Sequence, residues 1–336
     1  MRRWARVAPP RVGGALGYVV RRLLQAVPVI LAIVALNFLL LHLAPGDAAQ
    51  VLAGEAGSAS PEYMAQLRER FGLDQPIWIS LLVYMKNVLS LDLGFSFRHN
   101  MPVLDLILQR LGPTILLMGA TLVLSVGAGM ALGLLAAARV GGWLDTCISI
   151  LALISYATPL FWIGLMLIVV FSIKLDWLPT SGMETVAAFH EGWARVADIT
   201  HHLVLPAVTL SLFYMALYAR LTRAAVLEQA GMDYVATARA KGLSETRITL
   251  THVLRNAILP VITMAGVQMG ALLGGSIVVE TVFAWPGLGL LAYQSLFARD
   301  LNLLMGIFFL SASLVVVANL AVDLLYTVLD PRIQAA

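Results

Sequence analysis

The chain has 336 residues, of which 60% are hydrophobic and 12% charged, and its mean hydropathy is +0.87. A soluble domain carries about a quarter charged residues, so this composition excludes a soluble globular protein and points to an integral membrane protein. The formal charge of +3 is small for nucleic-acid binding, and a single cysteine, Cys147, excludes disulfides within the chain.

Residues 1–22 hold six arginines and no acid. An apolar run follows at 23–43. It is longer than the usual signal-peptide core of about 7 to 15 residues, so it reads as an uncleaved first transmembrane helix. Ala44-Pro45-Gly46-Asp47 breaks that helix. Residues 44–113 are mixed in character and read as an external region with short helices. One starts at Ser60-Pro61-Glu62, with an N-cap, a proline at the first helical position and an acid in the first turn, and stops at Gly72. The partly apolar stretch Ile77–Leu89 is about half a membrane thick and reads as interfacial.

Five further apolar runs follow. They are 114–138, 144–173 with Pro159 near its middle, 203–221 with Pro206 in its first turn, 258–283 and 303–329. The run at 144–173 is too long for a straight crossing, which predicts a kink or strong tilt. The expected fold is therefore all-α and polytopic, with six transmembrane helices. The core spans 114–329, and a short tail follows at 330–336.

Basic residues near the spans set the orientation. With the N-terminus inside, the segments 1–22, 139–143, 222–257 and 330–336, with Arg220, hold 14 of the 22 basic residues. The external segments hold 8 basic and 12 acidic residues. Both termini and the loop 222–257 are then cytoplasmic.

Within that loop, Asp233 to Lys241 reads as a short helix with charges ordered to suit its dipole. Gly242 stands where a left-handed stop is needed, and Ser244 reads as the N-cap of a second short helix. Leu243 and Ile248 take the staple positions around that cap. Pro260 reads as the break at which the fifth span begins. A polar helix, a glycine and a helix on a membrane face read as a docking surface for a soluble partner.

Catalytic patterns are absent from the sequence. There is no G-x-x-x-x-G-K-[ST] loop, no G-x-S-x-G and no H-E-x-x-H. The six histidines form no metal-ligand cluster; the adjacent His201 and His202 point in different directions on a helix and read as interfacial. Cys147 reads as a small buried hydrophobe. Glu280 and Asp323 are the acids inside the spans. Each lies close enough to an end to snorkel or to pair with nearby backbone, and two near opposite faces do not make a proton relay. Gly127, Gly129 and Gly133 mark the second span. Gly266, Gly270 and Gly274 lie four apart on the fifth, a close-packing face for another helix of this chain or of a second copy.

The cytoplasmic stretch resembles the EAA loop of ABC-importer permeases, carried here by Tyr234-Val235-Ala236-Thr237-Ala238-Arg239-Ala240-Lys241-Gly242 and Ile258-Leu259-Pro260. The literal Glu-Ala-Ala is absent. The peptide and nickel branch of that family is resembled at Leu43-Ala44-Pro45-Gly46-Asp47, Phe71-Gly72-Leu73-Asp74-Gln75-Pro76 and Asp92-Leu93-Gly94-Phe95-Ser96. It is resembled again at Thr158-Pro159-Leu160-Phe161-Trp162, Trp177-Leu178-Pro179-Thr180-Ser181-Gly182, Glu280 to Gly289 and Asp330-Pro331-Arg332. The resemblance implies a permease subunit that binds no cofactor and is not an enzyme. ATP and Mg would be used by one or two separate cytoplasmic ATPase subunits. They would dock on Asp233, Tyr234, Ala236, Ala238, Arg239, Ala240, Lys241, Gly242, Leu243 and Glu245. It further implies a second, C-type permease as heterodimer partner, a periplasmic or lipid-anchored solute-binding protein, and a bacterial inner membrane, with no nucleic acid. A secondary transporter or channel without an ATPase is the alternative, with a non-transporting membrane scaffold third.

Overall fold

The structure is a computed structural model, and it describes residues 24–25, 27–39, 62, 65–66, 69, 76–96, 98–186 and 188–329. Side chains at 271, 274, 275 and 322–329 lie outside that description. The chain forms two compact units, one of residues 1–105 with 295–336 and the other of residues 106–294.

In the first unit, α1 (Val27–Leu39) and α2 (Ile77–Leu89) are short apolar helices. A two-residue antiparallel pair follows, β1 (Phe95–Ser96) and β2 (Met101–Pro102), with Ser96 opposite Met101. The long helix α3 (Val103–Ala138) begins in this unit, and α10 (Leu301–Leu329) closes it. The Asp300 carboxylate caps α10 by accepting the Leu303 N–H at 3.1 Å. Its other oxygen accepts the Ser96 hydroxyl at 2.5 Å, and Asn302 donates to the Phe95 carbonyl at 3.0 Å. The Asp-Leu-Gly-Phe-Ser stretch is thereby clipped to the start of α10. The expected helix at 60–71 falls on residues of which only 62, 65, 66 and 69 are described, all helical.

The second unit holds the rest of α3 and α4 (Trp143–Ala157). It continues with α5 (Leu160–Leu167), which runs on as a π-helical segment, Ile168–Lys174. Then come α6 (Gly192–Ala230), α7 (Asp233–Ala240), α8 (Leu254–Val282) and most of α9 (Leu288–Phe297). Its core joins Leu117 and Met118 of α3, Leu210, Tyr214 and Tyr218 of α6, and Val261, Leu272 and Val279 of α8. Gly129 and Gly133 let α3 and α6 touch at the backbone. A Cβ at Gly129 would stand 2.5 Å from Tyr218 Cβ, and one at Gly133 would stand 2.6 Å from the Ala219 carbonyl oxygen. Outward faces are apolar, as lipid contact requires: Val123, Trp143, Leu153 and Val267 are exposed.

Among the described residues, four helices are long and apolar enough to cross a membrane, and a fifth crossing is available if α4 and α5 make one. Those two meet at 107°, more than the kink expected for a single third span. The cause is local. A residue before proline is pushed out of the α region, and Thr158 and Pro159 are both extended, with ψ of 134° and 133°. The expected first span, 23–43, is described only at 24–25 and 27–39, which are helical.

Three further expectations are corrected. The helix that carries the expected second span starts at Val103, ahead of Thr114, with Pro113 inside it. Pro206 lies well inside the 39-residue α6, not in a first turn. Cys147 is exposed, on the side of α4 that also presents Trp143, Ile150 and Leu151. His201 and His202 do diverge. The His201 ring meets the Trp177 carbonyl at 2.8 Å, while His202 meets the Asp198 carbonyl at 2.9 Å, with the rings at 89°.

Candidate coupling surface

Helix α7 is short because its sequence both starts and stops it. Asp233 stands in the first turn and Arg239 in the last, each at the end its charge favours. The stop is a Schellman turn: the Gly242 N–H returns to the Arg239 carbonyl at 2.9 Å and the Leu243 N–H to the Ala238 carbonyl at 3.4 Å. Gly242 takes φ +76, which only glycine adopts without strain. Ser244 is extended at the N-cap position, although its side chain makes no capping bond.

The second short helix is not a separate element. Glu245–Arg247 passes into a π-helical segment, Ile248–Val253, and then directly into α8. Helical backbone therefore runs from Glu245 to Val282, about 55 Å by the rise per residue. Pro260 lies inside α8 and does not break it. The irregularity sits about two to three turns earlier, in the π-helical segment Ile248–Val253.

One face of α7 is pinned down. Val235 and Ala238 are buried with Ala225 and Val226 of α6 and with Ile248, Val253 and Ala257, and Leu243 packs against them. Leu243 and Ile248 thus meet in one cluster, as a staple does. Ala238 is a core residue of this cluster, with 5% of its surface exposed. Burying a valine or isoleucine side chain contributes about 1.5 to 3 kcal/mol, so this apolar floor fixes α7 against the bundle. Beside it lies a cavity of about 540 Å³ bordered by Leu134, Ala137, Val226, Val235, Ile248 and Leu250.

The other face is open. Asp233, Tyr234, Ala236, Arg239, Ala240, Lys241, Gly242 and Glu245 are exposed, and Leu243 is half-buried. Arg239 and Glu245 form a two-pronged pair across the Gly242 turn, at 2.6 and 3.0 Å. The hydrogen bond to Glu245 raises the Arg239 guanidinium pKa above its usual value. The Tyr234 hydroxyl donates to Gln229 at 2.9 Å and accepts from Asn256 at 3.2 Å, which ties the end of α6 to the start of α8.

A second clasp was not foreseen. Arg223 of α6 grips both oxygens of Asp145 at 2.7 and 2.8 Å, and the Gly141 N–H donates to the same carboxylate at 2.9 Å. The partners are 78 residues apart, so no local spacing signals the pair. Among the described residues, no three His, Cys, Asp or Glu side chains come together as a metal site. The buried hydroxyls Thr121, Tyr218 and Thr222 have no hydrogen-bond partner.

A bundle of long apolar helices that exposes one pinned polar helix has the architecture of a transporter's membrane subunit. The family model described as "binding-protein-dependent transport system inner membrane component" matches residues 129–335, and its N-terminal companion matches residues 15–118. The chain belongs to this family. It is 40% identical over 318 residues to the oligopeptide transport system permease protein AppB of Bacillus subtilis, covering 94% of this chain and 99% of that one. It is 38% identical over 336 residues to the dipeptide transport system permease protein DppB of Escherichia coli, covering 95% and 99%. Inward-facing structures of the MetNI methionine ABC transporter share the fold. Their TM-scores are 0.53 and 0.54 at 18% identity, over 67% of this chain and 96% of that one.

Proposed function

We propose that this chain is the permease subunit of an ATP-driven importer and forms the membrane path for di- or oligopeptides delivered by a binding protein. The observation that carries this reading is the 38 to 40% identity, along nearly the whole chain, with dipeptide and oligopeptide permeases. The chain crosses a bacterial inner membrane six times, with both termini and α7 in the cytoplasm. The excess of basic residues in 1–22 and 222–257 supports that orientation. This chain binds no cofactor and hydrolyses no ATP. One or two ATPase subunits use ATP and Mg, and they dock on the open face of α7. A second permease of the C type completes the path, and the binding protein presents solute to the region 44–113.

The pinned floor and open face of α7 support the docking role, because a coupling element must be rigid beneath and free above. Replacement of Gly242 by valine tests it. No atom lies within 4 Å of the position a Cβ would take, so the variant strains the turn without a clash. The expected outcome is normal membrane insertion with loss of ATP-coupled peptide uptake in proteoliposomes. Uptake at the wild-type rate would remove the coupling role. Uptake that survives ATP depletion and collapses with the proton gradient would establish the secondary-transporter alternative.

A further inference from the structure

Glu280 stands at the end of α8 farthest from α7 and has no exposed surface. Its carboxylate accepts the Thr114 hydroxyl at 3.0 Å, the Leu290 N–H at 3.0 Å and the Gly289 N–H. The Thr114 oxygen in turn accepts the Leu288 N–H at 2.8 Å. The Trp285 indole donates to the Pro113 carbonyl at 2.9 Å. Gly287 and Gly289 pass so close that a Cβ on either would overlap the carboxylate. One side chain therefore holds together α3 at 113–114, the end of α8 and the turn at 283–290. A buried carboxyl that loses one of these partners is left with an unsatisfied polar atom, so the contacts support one another.

The helix that carries Glu280 is continuous with the segment that packs under α7. We propose that Glu280 is the far grip of a rigid lever: displacement of α7 travels along the helix and carries 113–114 and 283–290 with it, with no parting between them. The inference rests on the reading of α7 as the ATPase docking surface. Glu280 is on this account a positioning residue for transport, acting through the segments it holds.

The test uses the whole complex in proteoliposomes: this chain, its second permease, its ATPases and its binding protein. Trialanine uptake and ATP hydrolysis are read together. Glu280→Gln keeps the size but sets an amide against N–H donors. Thr114→Val removes the hydroxyl, and Thr114→Ser keeps it. Loss of these buried hydrogen bonds lowers peptide moved per ATP about tenfold in the first two variants. Thr114→Ser restores the ratio. A carboxylate that only stabilised the fold would lower the amount of complex and leave the ratio unchanged, and that result overturns the proposal.

A second arm leaves Glu280 in place. Cysteines at Pro113 and Leu288 are oxidised to a cross-link in the assembled complex. A lever that moves as one body retains uptake within about twofold of the reduced complex. Loss of uptake on cross-linking, reversed by reductant, overturns the proposal. A wild-type complex with no ATP-driven uptake would instead overturn the docking reading, which keeps the two failures apart.

Discussion

At the α7 end of the helix that runs from Glu245 to Val282, the ion pair Arg239–Glu245 is 51% and 65% exposed. At the other end the Glu280 carboxylate is out of water altogether. The same chemistry, a carboxylate with several N–H donors, has opposite energetics at the two places. An exposed pair contributes little, because water competes for both partners. Leaving the buried carboxylate short of one of its donors costs more, about 1 to 3 kcal/mol, because no water replaces the lost partner. The open end can exchange its bonds for those of another protein at little cost. The closed end cannot exchange them at all. This division suits a device that receives a push at one end and holds its load at the other.

The largest effect that tests this contrast is at Gly287. A methyl group there overlaps the Glu280 carboxylate, so Gly287→Ala should destabilise the protein by about 3 kcal/mol, the upper end for overpacking. Thermal melting of the detergent-solubilised chain reads this, and an unchanged midpoint would mean that the knot is looser than its distances. Next is Gly133→Val. Its side chain meets the Ala219 carbonyl and Thr222, and forcing α3 and α6 apart should cost about 1 to 3 kcal/mol. Val235→Ala removes methyl groups from the floor of α7, with an expected loss of about 1 to 2 kcal/mol by the same assay. It should also weaken retention of the ATPases on affinity purification. The smallest is Arg239→Ala, whose effect on the melting midpoint should be barely resolvable and fade as salt is raised. A melting shift at Arg239 as large as that at Gly287 would erase the distinction between the two ends.

How legible these features are in the sequence depends on the range of the forces that make them. Helix α7 is written in consecutive residues: an acid at its start, a base at its end and Gly242 to stop it. Short-range chemistry suffices there. The 107° break also has a local cause, since Thr158 precedes proline, but the long apolar run masks it. Pro206 and Pro260 mislead in the other direction. Pro206 reads as the first turn of a span and Pro260 as a break, yet the helix continues through both, as it does through Pro113. The continuous passage from Glu245 into α8 was hidden because Ser244 and Pro260 suggested a short helix and a restart. Glu280 is visible as an acid in an apolar run. Its partner Thr114, 166 residues away, is not, and neither is the Arg223–Asp145 clasp. Pairing at such separations is a property of the packed bundle and leaves no periodic trace.

To the machinery that inserts a nascent chain, the bend at Thr158 and Pro159 is a problem of length. Helix α4 has 15 residues, about 22 Å at the helical rise, against a hydrocarbon layer of about 30 Å. The limb from Leu160 to Lys174 has the same reach. Neither half can settle in lipid as a finished crossing. The chain from Trp143 to Lys174 is therefore expected to leave the translocon as one bent unit, its two limbs together making the crossing. Synthesis stalled just after Ala157 should leave a segment that slips back toward water, and synthesis stalled after Lys174 should not.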